Sequence, residues 1–347
     1  MRTGADNSAP YFSMKLQILI PQYKETESEI KPLLDSIAIQ QNVDLREIGV
    51  IICNDGSDTY LSREFLDSYP FRIDYHLEKH RGVSATRNSC FDYSESDYVM
   101  WCDADDIFLS VCGLYLIFRY IEMGFDALYS AFLEEAMERD TGKLVYVKRE
   151  RDATFVHGKV YSRHFLKVNE LRWNENLTVH EDCYFNGMCL NIAQNVKYCE
   201  DPFYLWKWRA DSVCRCDENY RYKTFVNLID SHDALVGGLC DLGYLNQAVY
   251  FMCYSVFETY YSMNKPDWAD KTEYREATEK RFAEFFEKYK SMWDTASDKD
   301  KSAIATEARE KALKEGMLLE SISVFDWLKR RITCQAEGQE KDSAGKR

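Results

Sequence analysis

Val99-Met100-Trp101-Cys102-Asp103-Ala104-Asp105-Asp106 is an apolar run of four residues that ends in three carboxylates within four positions. Three acids this close repel one another and raise one another's pKa, so they stay ionised cheaply only beside a cation. Mg2+ and Mn2+ meet that need. They prefer carboxylate, phosphate and water oxygens, and take one or two protein carboxylates together with substrate phosphates. On an extended turn, Asp103 and Asp105 point their carboxylates the same way, so one can ligate the ion while the other takes a sugar hydroxyl. Asp-x-Asp alone also describes an ordinary solvated turn; the apolar strand before it sets this one apart.

Upstream the chain alternates apolar runs with helical patterns. Leu16–Ile20 reads as a strand ending at Pro21, and 28–41 as a helix with Ile30, Leu33, Leu34 and Ile37 on one face. Strands follow at Ile48–Cys53, Ile73–Leu77 and Tyr98–Cys102, with a helix over Val83–Tyr93. Near-continuous apolar strands joined by helices predict an α/β fold whose parallel sheet is covered on both faces. Ligands of such sheets sit outside the carboxyl ends of the strands. Pro21-Gln22-Tyr23, Asp55 and Asp103–Asp106 each follow such an end, which makes them one site. Beyond Asp126 the pattern predicts strands near Leu128–Phe132 and Leu144–Lys148, then helices from Val160 and from Glu181. From Tyr220 it is all-helical. Val249, Met252, Cys253, Val256 and Tyr260 share one helical face, and Phe282, Phe285, Phe286, Tyr289 and Trp293 another, as helix-packing stripes do.

Two more stretches carry chemistry. In Cys53-Asn54-Asp55-Gly56-Ser57-Asp58, Asp and Gly suit a tight turn, and the Asp55 carboxylate can accept hydrogen bonds from a flat base edge. In His80-Arg81-Gly82-Val83-Ser84-Ala85-Thr86-Arg87-Asn88, Gly82 permits a turn, Ser84 is placed to cap the helix, and the helix's amino end favours an anion.

Taken in order, Pro21-Gln22-Tyr23-Lys24, Asn54–Asp58, Gly82–Asn88, Asp103–Asp106, His180-Glu181-Asp182 and Tyr204–Ser212 resemble the inverting glycosyltransferases of family 2. The resemblance spans roughly residues 15–213. It implies a GT-A fold, Rossmann-like, with a mostly parallel sheet flanked by helices. It also implies that Pro21, Tyr23 and Asp55 hold the base of a nucleotide, most often uridine. Arg87 would help fix the nucleotide, Asp103 the ribose or sugar with Ala104 beside it, and Asp105 the Mn2+ or Mg2+ ion. Lys207, Arg209 and Ser212 match a loop over the phosphates. Asp182 matches the catalytic base that deprotonates the acceptor hydroxyl. His157, Lys159 and Glu181, with Tyr161, fall on the acceptor side. The chain departs from the family pattern at Asn54, usually Asp, at Lys24, usually Asn, and at His80, where Asn is common. Trp206 and Trp208 flank Lys207 with strand alternation, which predicts packing on one face or stacking on a sugar.

The chain has 347 residues, 46% of them apolar, and a net charge of −14, which argues against broad binding to a nucleic-acid backbone. Its twelve cysteines contain no Cys-x-x-Cys pair, and several lie in apolar segments, so reduced thiols and a cytoplasmic location are expected. No run reaches the roughly eighteen apolar residues of a membrane span. The expected organisation is a disordered leader over 1–13, a GT-A domain over 14–213, a helical region over 214–333 that can serve acceptor binding or self-association into a homo-oligomer, and a disordered tail over 334–347. The expected partners are a UDP-sugar and an acceptor hydroxyl on a glycan, polymer, lipid-linked sugar or other molecule. Two rivals stand beside this reading. A Mg2+ phosphohydrolase also uses Asp-x-Asp after a strand, though on its first strand. A binding or scaffold protein can retain an inactive GT-A-like domain.

Overall fold

The computed structural model describes residues 14–138, 140–210, 212, 217, 219–314 and 327–328. The expected leader (1–13) and tail (334–347) lie outside them. The chain divides into two compact units, Met1–Ala210 and Asp211–Arg347.

In the first unit the chain runs β1 (Leu16–Gln22), α1 (Glu27–Ala38), β2 (Ile48–Asn54), α2 (Arg63–Asp67), β3 (Arg72–Leu77), α3 (Val83–Tyr93) and β4 (Tyr98–Trp101). There follow β5 (Ile107–Phe108), α4 (Gly113–Met123), β6 (Ala127–Ser130), β7 (Phe132–Met137), β8 (Leu144–Arg149), β9 (Lys159–Ser162), α5 (Arg163–Val168), α6 (Glu181–Ile192), β10 (Val196–Cys199) and β11 (Tyr204–Trp206). Seven strands form the main sheet in the order β10-β6-β9-β4-β1-β2-β3. Its neighbours pair in parallel except across β9, which is antiparallel to both β4 and β6.

Burial explains why these runs are strands. Ile18, Ile20, Val50, Ile52 and Met100 join Ile30, Leu33, Leu34 and Ile37 of α1 and Leu114 and Ile117 of α4 in one core. Leu19, Ile51 and Trp101 on the opposite face are buried too, and α3 packs there against β1 and β2. Each such side chain contributes about 1.5–3 kcal/mol. Both faces are covered, so the strands read as continuous apolar runs.

Two expectations need correcting. Lys159–Ser162 is a strand, not the start of a helix; the helix begins at Arg163. A short apolar segment takes its state from its partners, and Tyr161 is paired with Val99 on one side and Ala127 on the other. Because β9 enters at the rim where its antiparallel neighbours β4 and β6 leave, the residues just before it, His157 and Gly158, stand at the site. Gly158 has φ +66, and a Cβ there would come within 2.5 Å of Ser130 Oγ. Ser84 does not cap α3. The N-cap is Gly82 at φ 91, and Ser84 Oγ donates to the Leu177 carbonyl at 3.2 Å.

A second sheet, β5-β11-β7-β8, brings distant chain to the acid turn. Tyr204 pairs with Phe108 and Leu205 with Ile107, so β11 lies antiparallel beside the residues that follow Asp106. Trp208 lies beyond β11, and only Trp206 keeps the strand position expected of both.

The second unit contains α7 (Tyr220–Asp241), α8 (Leu245–Met263), α9 (Thr272–Thr295) and α10 (Asp298–Lys314). There α8 packs against α7, α9 and α10. Met252, Cys253, Val256 and Tyr260 are buried, as are Phe282, Phe285, Phe286, Tyr289 and Trp293, so both aromatic stripes are core faces. No helix among the described residues is long and apolar enough to cross a membrane.

Candidate active site

The acid turn hangs from the end of β4. The Asp106 amide donates to the Asp103 carbonyl at 3.2 Å and closes it. Asp106 is buried. Its carboxylate accepts the Tyr204 hydroxyl at 2.6 Å and the Lys207 amide at 2.9 Å, while the same hydroxyl accepts from the Asp103 amide at 3.2 Å. Burial, then repulsion from Asp103 and Asp105, raises the Asp106 pKa well above the usual carboxylate range. The Asp103 and Asp105 side chains keep 31% and 32% exposure, which leaves them open to a ligand. Asp105 is raised by burial and by Asp103, against the pull of Arg209, whose Nη1 lies 3.0 Å from it. Ala104 is buried in the core.

His157 reaches this turn from before β9. Its Nδ1 lies 3.5 Å from Asp106 Oδ2 and has no hydrogen-bond partner among the described residues. Burial lowers its pKa to about 4, so the ring is neutral at pH 7 and the pair is no salt bridge. It stacks between Trp206 and Tyr204, at centroid distances of 4.8 and 5.4 Å. Asp103, Asp106 and His157 each present one ligand atom, all within 4.8 Å of one another. A neutral imidazole beside crowded carboxylates is a donor set that suits a divalent cation.

At the ends of β1 and β2, the Asp55 carboxylate accepts the Arg81 amide at 2.8 Å and the Gly82 amide at 2.9 Å, with His80 Nδ1 at 2.9 Å. Asp55 therefore shapes the 80–82 loop, and a carboxylate has lone-pair sites left for a base edge. Gly56, at φ +69, sits where a Cβ would meet the His80 amide nitrogen at 2.4 Å. Tyr23 is 42% exposed and stacks on His80 at 4.7 Å, and Lys24 Nζ lies over the Tyr23 ring. Pro21 is the residue of β1 paired with Cys53.

The third group is carried by α6. His180 precedes it at φ 60, and Glu181 and Asp182 form its first turn. Glu181 Oε1 accepts Arg87 Nη1 at 2.9 Å, and Arg87 Nη2 reaches Asp103 Oδ1 at 3.1 Å. Asp182 Oδ1 accepts the Cys183 amide at 2.9 Å. Burial, then repulsion from Glu181, pushes the Asp182 pKa up to about 8, against the opposing charges of Arg87 and Lys159. Lys159 is fully buried, donates to the Phe155 and His157 carbonyls, and is lowered to about 8 by burial.

Residues 17–183 match the family model described as glycosyl transferase family 2. The match lies within the first unit, which thus resembles the family 2 glycosyltransferases. The uncharacterized glycosyltransferase EpsJ of Bacillus subtilis (strain 168) is 22% identical over 219 residues, which cover 57% of this chain and 62% of that relative. The chain thus spans less than two thirds of that protein's length. Among solved structures, S. aureus TarS 1-349 in complex with UDP-GlcNAc matches with a TM-score of 0.57 and 17% identity, over 88% of this chain and 93% of that one. The mannosyltransferase PcManGT from Pyrobaculum calidifontis, in complex with GDP-Man and Mn2+, matches with a TM-score of 0.50 and 13% identity, over 86% and 81%. At these identities the likeness is one of fold.

The first unit gathers most of the expected residues on one rim, with three differences. Arg87 has both terminal nitrogens engaged by carboxylates, so it meets the acid turn and Glu181, whereas the resemblance gave it the nucleotide. His157 and Lys159 are buried and cannot form an open acceptor surface; His157 faces Asp106 instead. Ser212 belongs to the second unit. Asp106 and Tyr204 stood inside the quoted motifs, but the sequence reading gave neither a role of its own. What was missing was the antiparallel pairing that joins them.

Proposed function

We propose that this protein is a glycosyltransferase that moves a sugar from a UDP-sugar to an acceptor hydroxyl with inversion at the anomeric carbon, Asp182 acting beside a divalent metal. The observation that carries the reading is the division of acids at one rim. A crowded turn stands on one element, with a His157 Nδ1 that has no partner among the described residues, and the buried Asp182 carboxyl, of high proton affinity beside Glu181, stands on another. The UDP-GlcNAc and the GDP-Man with Mn2+ bound by the two solved relatives of this fold support a nucleotide-sugar donor.

Asp103, Asp106 and His157 would hold the ion, which when bound supplies positive charge to the departing diphosphate. Tyr204 and the Lys207 amide fix Asp106. Arg209, which lies 3.0 Å from Asp105, would meet the phosphates, and Asp105 would add a carboxylate beside the ion. Pro21, Tyr23 and Asp55 hold the base. Asp182 takes the acceptor proton as the hydroxyl oxygen attacks the anomeric carbon and the bond to the diphosphate breaks; a base tuned near the working pH suits that transfer. We assign the helical unit to acceptor binding or self-association, and the protein to the cytoplasm on its thiol-rich composition. A donor screen following UDP release from several UDP-sugars with Mn2+ tests the reading, with the product anomer determined by NMR. Retained configuration, or no release with any nucleotide sugar, contradicts it.

A further inference from the structure

We propose that Arg87 is a positioning residue of this reaction: its guanidinium joins the donor turn at Asp103 to the base-bearing end of α6 at Glu181, and so governs the charge that Asp182 meets. The proposal rests on the reading of Asp182 as base.

Arg87 is only 4% exposed and is held from every side. Its guanidinium lies 4.4 Å over the Trp173 ring, and the Trp101 indole donates to its carbonyl at 3.2 Å. Its Nε has no hydrogen-bond partner among the described residues, and its two terminal nitrogens are divided between carboxylates 16 and 94 residues away. Burial disfavours the cation, but Asp103, Glu181 and Asp182 outweigh it and keep Arg87 charged. A group built only to meet a phosphate would leave its fork free.

Asp182 faces few charges. On α6 the charge is Glu181, and the Cys183 amide donates to Asp182; from α3 comes Arg87; from β9 come Lys159 and the Tyr161 hydroxyl. Lys159 is pinned to two backbone carbonyls. Arg87 alone has its second arm on the donor turn. A donor that engages Asp103 leaves the guanidinium's charge undivided for Glu181 and Asp182, so the base ionises more readily once the donor is seated. By linkage, an ionised Asp182 tightens the donor in return.

The test uses full-length, metal-free and donor-free protein with 13C-labelled aspartate, titrated by NMR, with the Asp182 signal assigned by its loss in D182N. Arg87→Gln should raise the Asp182 midpoint by about one pH unit or more, as loss of an opposite charge does. Arg87→Lys keeps the charge and should raise it less. Glu181→Gln removes a like charge and should lower it. In turnover, Arg87→Gln should lose roughly tenfold in kcat at pH 7 per unit of midpoint, recover at higher pH, and keep its affinity for UDP. An unmoved Asp182 midpoint with UDP affinity lost would make Arg87 a nucleotide contact and overturn the proposal. An Asp182 midpoint that Glu181→Gln leaves in place overturns it even where Arg87→Gln fails to fold. Absence of transfer by the wild type would sink the reading of Asp182 as base while leaving the titrations to stand by themselves.

Discussion

Replacing Asp182 by Asn should stabilise the protein at high pH and slow sugar transfer severely. The folded pKa of about 8 lies above the ordinary value of 3.8, because the carboxyl is buried beside Glu181. Between those values the folded chain keeps a proton that the unfolded chain has lost, so stability falls as pH rises from about 4 to about 8. The full displacement corresponds to about 5–6 kcal/mol. Part of it is repulsion that Glu181 shares, and Arg87 and Lys159 lose a partner when the charge is removed, so the net gain for Asp182→Asn at pH 9 should be about 2–3 kcal/mol. That raises the unfolding midpoint of the first unit by roughly 5–10 °C. At pH 4 both chains carry a neutral group, and the midpoints should coincide. Calorimetry of wild type and variant at pH 4, 6 and 9 reads the difference directly. A gap that does not grow with pH, or a variant less stable at pH 9, refutes the reasoning.

Three further outcomes follow from single contacts. Tyr204→Phe removes the hydroxyl that donates to Asp106 and accepts from the Asp103 amide; it should cost about 1.5–3 kcal/mol in chemical denaturation and weaken UDP binding with Mn2+. Gly158→Ala places a Cβ against Ser130 at a left-handed φ and should cost about 2–3 kcal/mol, read as a lower denaturation midpoint. His157→Ala should weaken Mn2+ about 10–100-fold in calorimetric titration. Unchanged Mn2+ affinity would move the ion to Asp103 and Asp105 alone.

The sheet was legible where strands are buried on both faces. β1, β2 and β4 announce themselves as continuous apolar runs, and α3 falls on Val83–Tyr93 as its pattern indicates. Residues 159–162 were not legible, since four residues carry no period and Tyr161 owes its state to Val99 and Ala127. The acid turn could be found from its motif, but not the environment that gives it character. Tyr204 lies 98 residues from Asp106, and Glu181 lies 94 from Arg87. Local spacing places a carboxylate on a rim, whereas only the tertiary pairing tells which cation it keeps. Lys159 shows the same limit: the resemblance put it on the acceptor side, yet β9 carries it wholly inside.

The most direct test sets Asp182→Asn and Asp105→Ala side by side, measuring UDP affinity with and without Mn2+ and the single-turnover rate of sugar transfer. The account predicts that Asp182→Asn binds UDP and Mn2+ as the wild type does while transferring about 10²–10⁴-fold more slowly. It predicts that Asp105→Ala loses the Mn2+-dependent part of binding. Transfer at the wild-type rate by Asp182→Asn, or full Mn2+ dependence in Asp105→Ala, contradicts the division of work between the acid turn and the base.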